Sequence, residues 1–354
     1  MAVNGDVINN KNNNLKNSNK KKKKKHAVRN KIIILFSILI LTLASLGFFI
    51  FNYLFGGLTQ TKIAKDFSTL GIDSSRAEQT KELKVINIAL YGVDSRSNTD
   101  TGLSDAILVA SIDIAKGKIK LTSIARDTYV SFTTPSGVPI KTKITEAYSI
   151  GQTKKTKGAE LAIKTLNQNF NLDIQDYVTV NFSQLAKVID SVGGVTVNLS
   201  VAEKNMANGI MNELTPKEKK ITQTGAVLLN GNQAVAYSRI RKIDSDDVRA
   251  QRQRNVLEQL FLKAKNMNMV EIGQLVHTVM PMVETSLDYS QIMDMAAIFK
   301  NSNVQLQQMA FPNSQSNAAH GDAAMVDGKW FYIYDLNVAK RQLYDFIYND
   351  IKVD

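Results

Sequence analysis

The chain of 354 residues contains no cysteine, so its folded part has no disulfide bond. It has only three histidines, His26, His277 and His320, and their separations match none of the ligand spacings common in zinc sites. It also lacks a P-loop, a GxGxxG turn and an HExxH helix. These absences leave no sequence signature of a nucleoside triphosphatase, a dinucleotide-dependent enzyme or a zinc peptidase.

Acidic residues are scarce in the first 31 positions, which hold ten lysines and arginines and the single acid Asp6. This segment carries +9 of the net charge of +12, and the remaining 323 residues carry only +3. It is rich in asparagine and lysine and has nothing to bury, so we predict that residues 1–31 form a disordered tail. The basic character belongs to this tail and gives no indication that the folded part binds nucleic acid.

A run of 24 uncharged residues, IIILFSILILTLASLGFFIFNYLF, follows at 32–55. It is long enough to cross about 30 Å of hydrocarbon and longer than the apolar part of a signal peptide, so we predict a transmembrane helix. A buried core helix is the alternative. By the positive-inside rule the tail stays in the cytoplasm and the folded part lies outside.

Residues 56–80 are polar and mixed, which is typical of a spacer. The lack of disulfides fits an envelope that does not rely on them.

Three apolar runs predict an antiparallel meander at the start of the folded part. The predicted strands begin at Val85, Ala106 and Ile119. In an up-down-up arrangement Asp94 ends the first strand, Asp105 begins the second and Arg126 follows the third, so the three side chains lie at one end of the sheet. Polar side chains that converge at strand ends are typical of active sites, although any one of them alone is equally consistent with a charge facing water.

Five arginines occur within the 18 residues from Tyr237 to Arg254, which read YSRIRKIDSDDVRAQRQR. Arg239 and Arg241 end the apolar run 234–237. We interpret this run as a strand, which would place the two arginines on one face.

Further along, apolar residues at 256–264 recur with the spacing of one face of a helix. When this face is extended towards the N-terminus, it includes Arg249, Arg252 and Gln253. Buried arginines need anionic partners, and a helix N-terminus also favours an anion. We therefore interpret the stretch as a cradle for an anion, with phosphate as the best match to guanidinium groups. A solvated charged surface is the alternative.

Enzymes that act on diphosphate esters combine arginines with a divalent metal ion held by carboxylates. Asp94 and Asp105 suit Mg²⁺, which prefers a few carboxylates together with substrate oxygens and water. Another divalent ion such as Mn²⁺ could take its place. Because ATP is absent outside the cell, the expected diphosphate is that of a lipid-linked sugar carrier.

Helical and strand patterns alternate through the rest of the chain. The predicted fold class is therefore α/β, a mixed central sheet with helices on its faces behind one N-terminal transmembrane helix. Residues 141–151 and 158–170 are predicted to be helical, and 304–311 to form a strand.

Six segments carry a family pattern. They are GVDSR (92–96), LSDAILVASID (103–113), IARDTYV (124–130), KITEAYSIG (143–151), DYVTVNFSQLAKVIDSVGGVTV (176–197) and LNGNQAVAYSRIRK…DSDDVRAQRQRNVL (229–257). In order and spacing these segments resemble the LytR-CpsA-Psr (LCP) family, and the preceding tail and apolar run fit it as well. On this resemblance we place an LCP catalytic domain at 81–265 and a C-terminal extension of it at 266–354.

The resemblance implies a phosphotransferase of the Gram-positive envelope. Such an enzyme moves a glycopolymer (teichoic acid, capsule or another cell-wall polysaccharide) from undecaprenyl diphosphate to peptidoglycan through a phosphodiester bond. The implied partners are therefore the lipid-linked glycopolymer, peptidoglycan and membrane lipid, without a specific nucleic acid. The family fold also has an apolar pocket for the prenyl chain, for which the core-facing side chains of 158–170 and the strands are candidates.

Residue roles follow from the same resemblance. Asp94 and Asp105 match the aspartates that bind Mg²⁺. The diphosphate is held by residues matching Arg126, Arg239, Arg241, Arg249, Arg252 and Gln253. Asp94, Arg126, Arg239, Arg241 and Asp246 are the expected catalytic group, in which Asp94 or Asp246 accepts the proton of the acceptor hydroxyl.

The chain departs from the family pattern at Ala125, where the family usually has proline before Arg-Asp. This change affects the stiffness of the loop rather than its chemistry. The 89 residues after Lys265 are not explained by the resemblance.

Three other functions are compatible with parts of the sequence. A lipid-diphosphate hydrolase would use the same cradle with water as acceptor. A membrane-bound transcriptional regulator or attenuator would need an element that reads bases, and the tail can touch nucleic acid by charge alone. A module that holds lipid carriers without chemistry would not need Mg²⁺.

Overall fold

The computed structural model describes residue 42 and residues 61–94, 102–153, 157–301, 304–312 and 322–351. The chain divides into two units, Met1–Gly56 and Gly57–Asp354, and the fold is that of the second. The predicted tail and, apart from residue 42, the predicted transmembrane helix lie outside the described residues. Among the described residues, no helix combines the length and the apolar character needed to cross a membrane.

The described strands are β1 (Val85–Val93), β2 (Ser104–Asp113), β3 (Lys118–Ile124), β4 (Tyr129–Thr133), β5 (Pro139–Lys143), β6 (Ile174–Asn181), β7 (Val195–Leu199), β8 (Gly225–Leu229), β9 (Glu284–Thr285), β10 (Gln305–Phe311), β11 (Asp322–Val326) and β12 (Lys329–Ile333). The described helices are α1 (Ser74–Leu83), α2 (Glu146–Gly151), α3 (Gly158–Phe170), α4 (Phe182–Ser191), α5 (Val201–Leu214), α6 (Gly231–Ser238), α7 (Asp246–Asn266), α8 (Met269–Val279), α9 (Tyr289–Asn301) and α10 (Leu336–Asn349). A 3₁₀ turn, Met280–Met282, follows α8.

Six of these strands form one mixed sheet in the order β10-β3-β2-β1-β6-β9. β1, β2 and β3 pair antiparallel as the predicted meander. β6 pairs parallel to β1, and β10 pairs parallel to β3. The C-terminal ends of β1, β3, β6 and β10 therefore lie at one edge of the sheet, where β2 begins. The mixed α/β architecture predicted from the sequence is confirmed.

Helices cover both faces of the sheet, because successive side chains of a strand point to opposite faces. On one face Tyr91 of β1 belongs to a cluster with Phe170 of α3 and Phe346 of α10. On the other face Ile88 of β1 lies in a separate cluster, against which Phe261 of α7 packs.

A smaller core lies between the β7–β8 ribbon and the helices α4, α5 and α6, with the first turns of α7. α6 begins against α4, where a Cβ on Gly231 would lie 2.0 Å from the carbonyl oxygen of Ala186. The N–H of Gly231 also donates to Asp190 of α4 at 2.7 Å. Only glycine permits this approach, which fixes the position of α6 and of the arginines that follow it.

Both ends of the folded unit join the sheet core. In the segment 56–80, for which the sequence predicts a spacer, Leu70 and Ile72 are buried in the core, and Asp73 caps the start of α1. In the segment 266–354, β9 and β10 are strands of the central sheet. This C-terminal segment therefore shares one sheet with the residues before it.

Two predicted elements are wrong. Residues 141–151 do not form one helix, because β5 runs to Lys143 and is followed by the short helix α2. The apolar run 234–237 is not a strand but part of α6, so Arg239 and Arg241 do not share a strand face. The sequence does contain a signal for α6, since the side chains of Asn230 and Gln233 form a capping box at its start.

Candidate functional site

Asp94, Asp105 and Arg126 meet at the edge of the sheet where β1 ends, β2 begins and β3 ends, as the meander predicts. The backbone N–H groups of Asp94 and Asp105 both donate to the carbonyl oxygen of Leu103, at 3.2 and 3.0 Å. Nη1 of Arg126 lies 2.5 Å from Oδ1 of Asp105. The fold thus places two carboxylates and a guanidinium side by side.

Arg239 reaches the same edge from the C-terminal end of α6. Its Nη2 lies 3.6 Å from Oδ2 of Asp94. Its Cζ lies 4.2 Å from the centre of the Phe182 ring, and Phe182 is the first residue of α4, directly after β6. Packing against an aromatic ring restrains the guanidinium plane.

Asp246, the first residue of α7, is shared by three arginines. Its Oδ2 accepts a hydrogen bond from Nη2 of Arg249 at 2.7 Å. Nε of Arg241 lies 3.8 Å and Nε of Arg126 lies 4.0 Å from the same carboxylate. Asp246 therefore connects α7 to the loop after α6 and to the corner after β3. The arginine cluster consists of Arg126, Arg239, Arg241 and Arg249.

Two nitrogen atoms of the arginine cluster, Nε of Arg126 and Nε of Arg249, are buried and have no hydrogen-bond partner within the part of the chain that the structure describes. Buried donors in native proteins nearly always have a partner. A ligand with several anionic oxygens would supply the missing acceptors.

The carboxylates around the cluster balance its charge. Burial opposes the charged form of Arg126, but Asp105, Asp127 and Asp246 outweigh this effect and raise the pKa of the guanidinium. Burial lowers the pKa of Arg249, which Asp246 partly offsets. Burial also raises the pKa of Asp246, against the opposing effect of Arg249 and Arg126.

Arg252, predicted to hold the diphosphate, contacts a different set of carboxylates from the arginine cluster. Both terminal nitrogens of its buried guanidinium bind Asp244. Its Nε donates to Glu203 at 2.9 Å, and its Nη1 donates to the carbonyl oxygen of Ile240 at 3.2 Å. Burial opposes the charged form, but the hydrogen bonds to Asp244 and Glu203 outweigh it and raise the pKa of Arg252. The structure thus assigns Arg252 to contacts within the fold.

An apolar pocket of about 130 Å³ adjoins the cluster. Its apolar lining comes from β1, β2, β6, α4 and α7, and includes Leu90, Leu108, Val178, Val180, Leu185, Val256 and Leu257. Ala106 and Gln253 line both this pocket and the cavity beside Arg126 and Arg249. The strands supply part of this lining, as expected. Helix α3 does not, because it packs on the opposite face of the sheet.

The donor set at Asp94 and Asp105 fits Mg²⁺, which prefers carboxylate oxygens. The backbone N–H groups of the two residues share the carbonyl oxygen of Leu103, so the residues are neighbours at this edge of the sheet. Among the described residues, no group of three or more His, Cys, Asp or Glu side chains is arranged to hold a metal ion. An ion at this position would therefore take its remaining ligands from substrate oxygens and water.

Three residues of the site are not singled out by the sequence patterns. Asp127 binds Nζ of Lys143 at 2.6 Å and lies 3.5 Å from Nε of Arg126. Phe182 packs against Arg239. The position of Asp127 directly after Arg126 was an available signal. Lys143 and Phe182 come from other strand ends, and no local pattern connects them to the arginines.

Comparisons with known proteins agree with the fold and extend the sequence resemblance. The profile of the LytR_cpsA_psr family matches residues 53–345, which includes most of the segment after Lys265. The polyisoprenyl-teichoic acid–peptidoglycan teichoic acid transferase TagU of Oceanobacillus iheyensis is 31% identical over 258 residues, 72% of this chain and 72% of TagU.

Two solved structures share the fold at lower sequence identity. TagT bound to LI-WTA has a TM-score of 0.58 and 22% identity, over 74% of this chain and 90% of TagT. The LytR-CPS2A-psr family protein YwtF (TagT) with bound octaprenyl pyrophosphate lipid has a TM-score of 0.54 and 19% identity, over 82% of this chain and 95% of that one. Because the family profile covers most of the sequence, the chain belongs to the LytR-CpsA-Psr family.

Proposed function

We propose that the protein is a phosphotransferase that moves a glycopolymer from undecaprenyl diphosphate to peptidoglycan and joins them by a phosphodiester bond. The observation that carries the proposal is the arginine cluster beside an apolar pocket, with two buried Nε atoms that lack a hydrogen-bond partner in the described part of the chain. The name of the TagU relative and the octaprenyl pyrophosphate in the YwtF structure support the same substrate class.

The donor fits the site in two parts. The arginine cluster binds the diphosphate, and Nε of Arg126 and Nε of Arg249 are donors without a hydrogen-bond partner among the described residues. The prenyl chain enters the apolar pocket at Gln253, which lies at the boundary between the two cavities. The pocket has a volume of about 130 Å³, and α4 and α7 form part of its lining.

Asp94 and Asp105 would hold a magnesium ion, which supplies positive charge to the diphosphate oxygens. In the structure these carboxylates are paired with Arg239 and Arg126. A metal ion held by Asp94 and Asp105 would leave the guanidinium groups of Arg239 and Arg126 to bind the diphosphate.

The reaction is an in-line displacement at the sugar-proximal phosphorus. The oxygen of the acceptor hydroxyl forms a bond to this phosphorus, and the bond from phosphorus to the bridging oxygen breaks. Undecaprenyl phosphate leaves with the electron pair, and the hydroxyl proton passes to Asp94 or Asp246. The arginine cluster stabilises the negative charge that develops on the departing phosphate.

The expected location is the cell membrane of a Gram-positive bacterium, with the N-terminus in the cytoplasm and the folded unit outside. This proposal rests on the uncharged run at 32–55 and the lysine-rich tail before it. It places the site on the side of the membrane where peptidoglycan lies.

The test is a reaction with the full chain in nanodiscs, a lipid-diphosphate-linked glycan, peptidoglycan oligosaccharides and Mg²⁺. The fate of the donor decides between the candidate functions. Transfer to the oligosaccharide supports the phosphotransferase. Free glycosyl phosphate in the presence of acceptor would identify a hydrolase. Bound but unconsumed donor, with or without Mg²⁺, would identify a binding module and contradict the proposal.

A further inference from the structure

A third, larger cavity borders the same site at Asp94 and Arg239. It has a volume of about 560 Å³, within the range of about 300–1,000 Å³ that is usual for ligand sites. Asp94 and Arg239 form its border with the site, and α4, α5 and α6 supply the rest of its lining, including Phe182, Glu213, Thr215 and Asn232. Arg126, Asp246 and Arg249 are not among its lining residues.

We propose that this cavity, the acceptor groove, binds the saccharide of the peptidoglycan acceptor and delivers its hydroxyl group to the phosphorus. The inference rests on the proposed function and adds to it the location of the second substrate.

The lining of the groove suits a saccharide, which presents hydroxyl and amide groups around an apolar ring face. Glu213, Thr215 and Asn232 offer a carboxylate, a hydroxyl and an amide, and Phe182 offers an apolar surface. The amide of Asn232 is held in place, because its Nδ2 donates to Oε2 of Glu218 at 2.7 Å. Polar groups that are already fixed before binding lose less conformational entropy when the ligand binds.

The position of Phe182 favours the acceptor over the donor. Phe182 lines both the apolar pocket and the groove, so it separates the two spaces. In an in-line displacement the attacking and leaving oxygens lie on opposite sides of the phosphorus. A leaving group whose prenyl chain lies in the apolar pocket fits an attacking hydroxyl that comes from the groove, on the other side of Phe182.

The charged groups of the groove also suit an acceptor saccharide. Asp94 is paired with Arg239 at 3.6 Å. The carboxylate of Glu213 adds a negative charge to the same lining. The hydroxyl groups of an acceptor glycan can donate hydrogen bonds to this carboxylate.

The test measures binding and turnover separately, with the full chain in nanodiscs. The probe for binding is a tetrasaccharide of alternating N-acetylglucosamine and N-acetylmuramic acid, followed by saturation-transfer NMR. The variants are Glu213→Ala and Asn232→Ala, and the matched control is Asn205→Ala, an exposed position on α5 outside the groove. Glu213 has an exposed side chain, so its variant is informative even if Asn232→Ala disturbs folding.

We expect the tetrasaccharide to bind the wild type and the control, and both groove variants to weaken this binding at least tenfold. We also expect them to raise the KM for the acceptor at least tenfold while the KM for the donor stays unchanged. Unchanged acceptor binding in the groove variants would overturn the assignment. A rise in the KM for the donor alone would also overturn it and would place the donor glycan in the groove. Binding that depends on Glu213 in a protein without transfer activity would support the groove and contradict the proposed function.

Discussion

The guanidinium of Arg252 binds the carboxylate of Asp244 through both of its terminal nitrogens. Because Asp244 lies in the loop between α6 and α7, this pair fixes the segment that carries Arg239 and Arg241. Glu203 binds the remaining Nε of Arg252 and ties the pair to the start of α5. The geometry therefore favours a positioning role for Arg252 over direct contact with the diphosphate.

A positioning role predicts that removing the partners of Arg252 harms transfer as much as changing Arg252 itself. Asp244→Asn and Glu203→Gln should each lower kcat at least tenfold, as should Arg252→Lys, with little change in the KM for the donor. Arg252→Ala should also lower the free energy of unfolding, because it removes a buried guanidinium and leaves the partly exposed carboxylates of Asp244 and Glu203 without this partner. Steady-state kinetics and denaturant titrations measure these effects.

If Arg252 instead touched the diphosphate, only its own variants would be impaired, and Asp244→Asn and Glu203→Gln would transfer at the wild-type rate.

Arg249 should act directly on the diphosphate. Its buried Nε lacks a hydrogen-bond partner within the described residues, and its Nη2 binds Asp246. Arg249→Gln should lower kcat by about 10²–10³, the usual effect of removing one donor that stabilises transition-state charge. Arg341→Gln, at an exposed position on α10, serves as the control and should keep full activity. A kcat within threefold of wild type for Arg249→Gln would exclude Arg249 from the phosphate site.

A divalent ion should bind only where both aspartates are intact. Electron paramagnetic resonance of Mn²⁺, with an inert prenyl diphosphate analogue present, should show binding to the wild type. Asp94→Asn and Asp105→Asn should each weaken this binding at least tenfold, because each removes a carboxylate ligand. Asp327→Asn, in the exposed turn between β11 and β12, should leave it unchanged.

The same ion should be required for turnover. Chelation should abolish transfer and added Mg²⁺ should restore it. Full transfer by the chelated protein would contradict the metal assignment.

The apolar pocket should select for long prenyl chains. Leu257→Trp places a large side chain in the pocket, whereas Leu262→Trp places the same group on the exposed side of α7, where Leu262 is 41% exposed. Leu257→Trp should raise the KM for a long-chain donor at least tenfold and have much less effect on a donor with one or two isoprene units. Identical kinetics for the two variants with the long-chain donor would place the lipid elsewhere.

The sequence predicts the parts of the site that depend on local patterns. Alternating apolar residues locate β1, β2 and β3, and the meander brings Asp94, Asp105 and Arg126 to one edge without further information. The stripe that places Arg249 and Arg252 on the inner side of α7 is also correct, since both side chains are buried.

The rest depends on contacts between distant parts of the chain. Burial alone does not distinguish the contacts of Arg249 from those of Arg252, because one partner of Arg252, Glu203, lies 49 residues away in the chain. β10 and β3 pair although they are far apart in the sequence, and no local periodicity indicates that pairing. The run 234–237 is too short for its apolar character to distinguish a strand from a helix, and only the capping box at Asn230 does so.

The central claim is that phosphorus, rather than the anomeric carbon of the sugar, is the atom attacked. The most direct measurement is mass spectrometry of both products formed by the full chain from a lipid-diphosphate-linked glycan and a peptidoglycan oligosaccharide. The account predicts one phosphate between glycan and acceptor, release of undecaprenyl phosphate, and loss of both products in Arg241→Ala. A direct glycosidic bond with release of undecaprenyl diphosphate would contradict it.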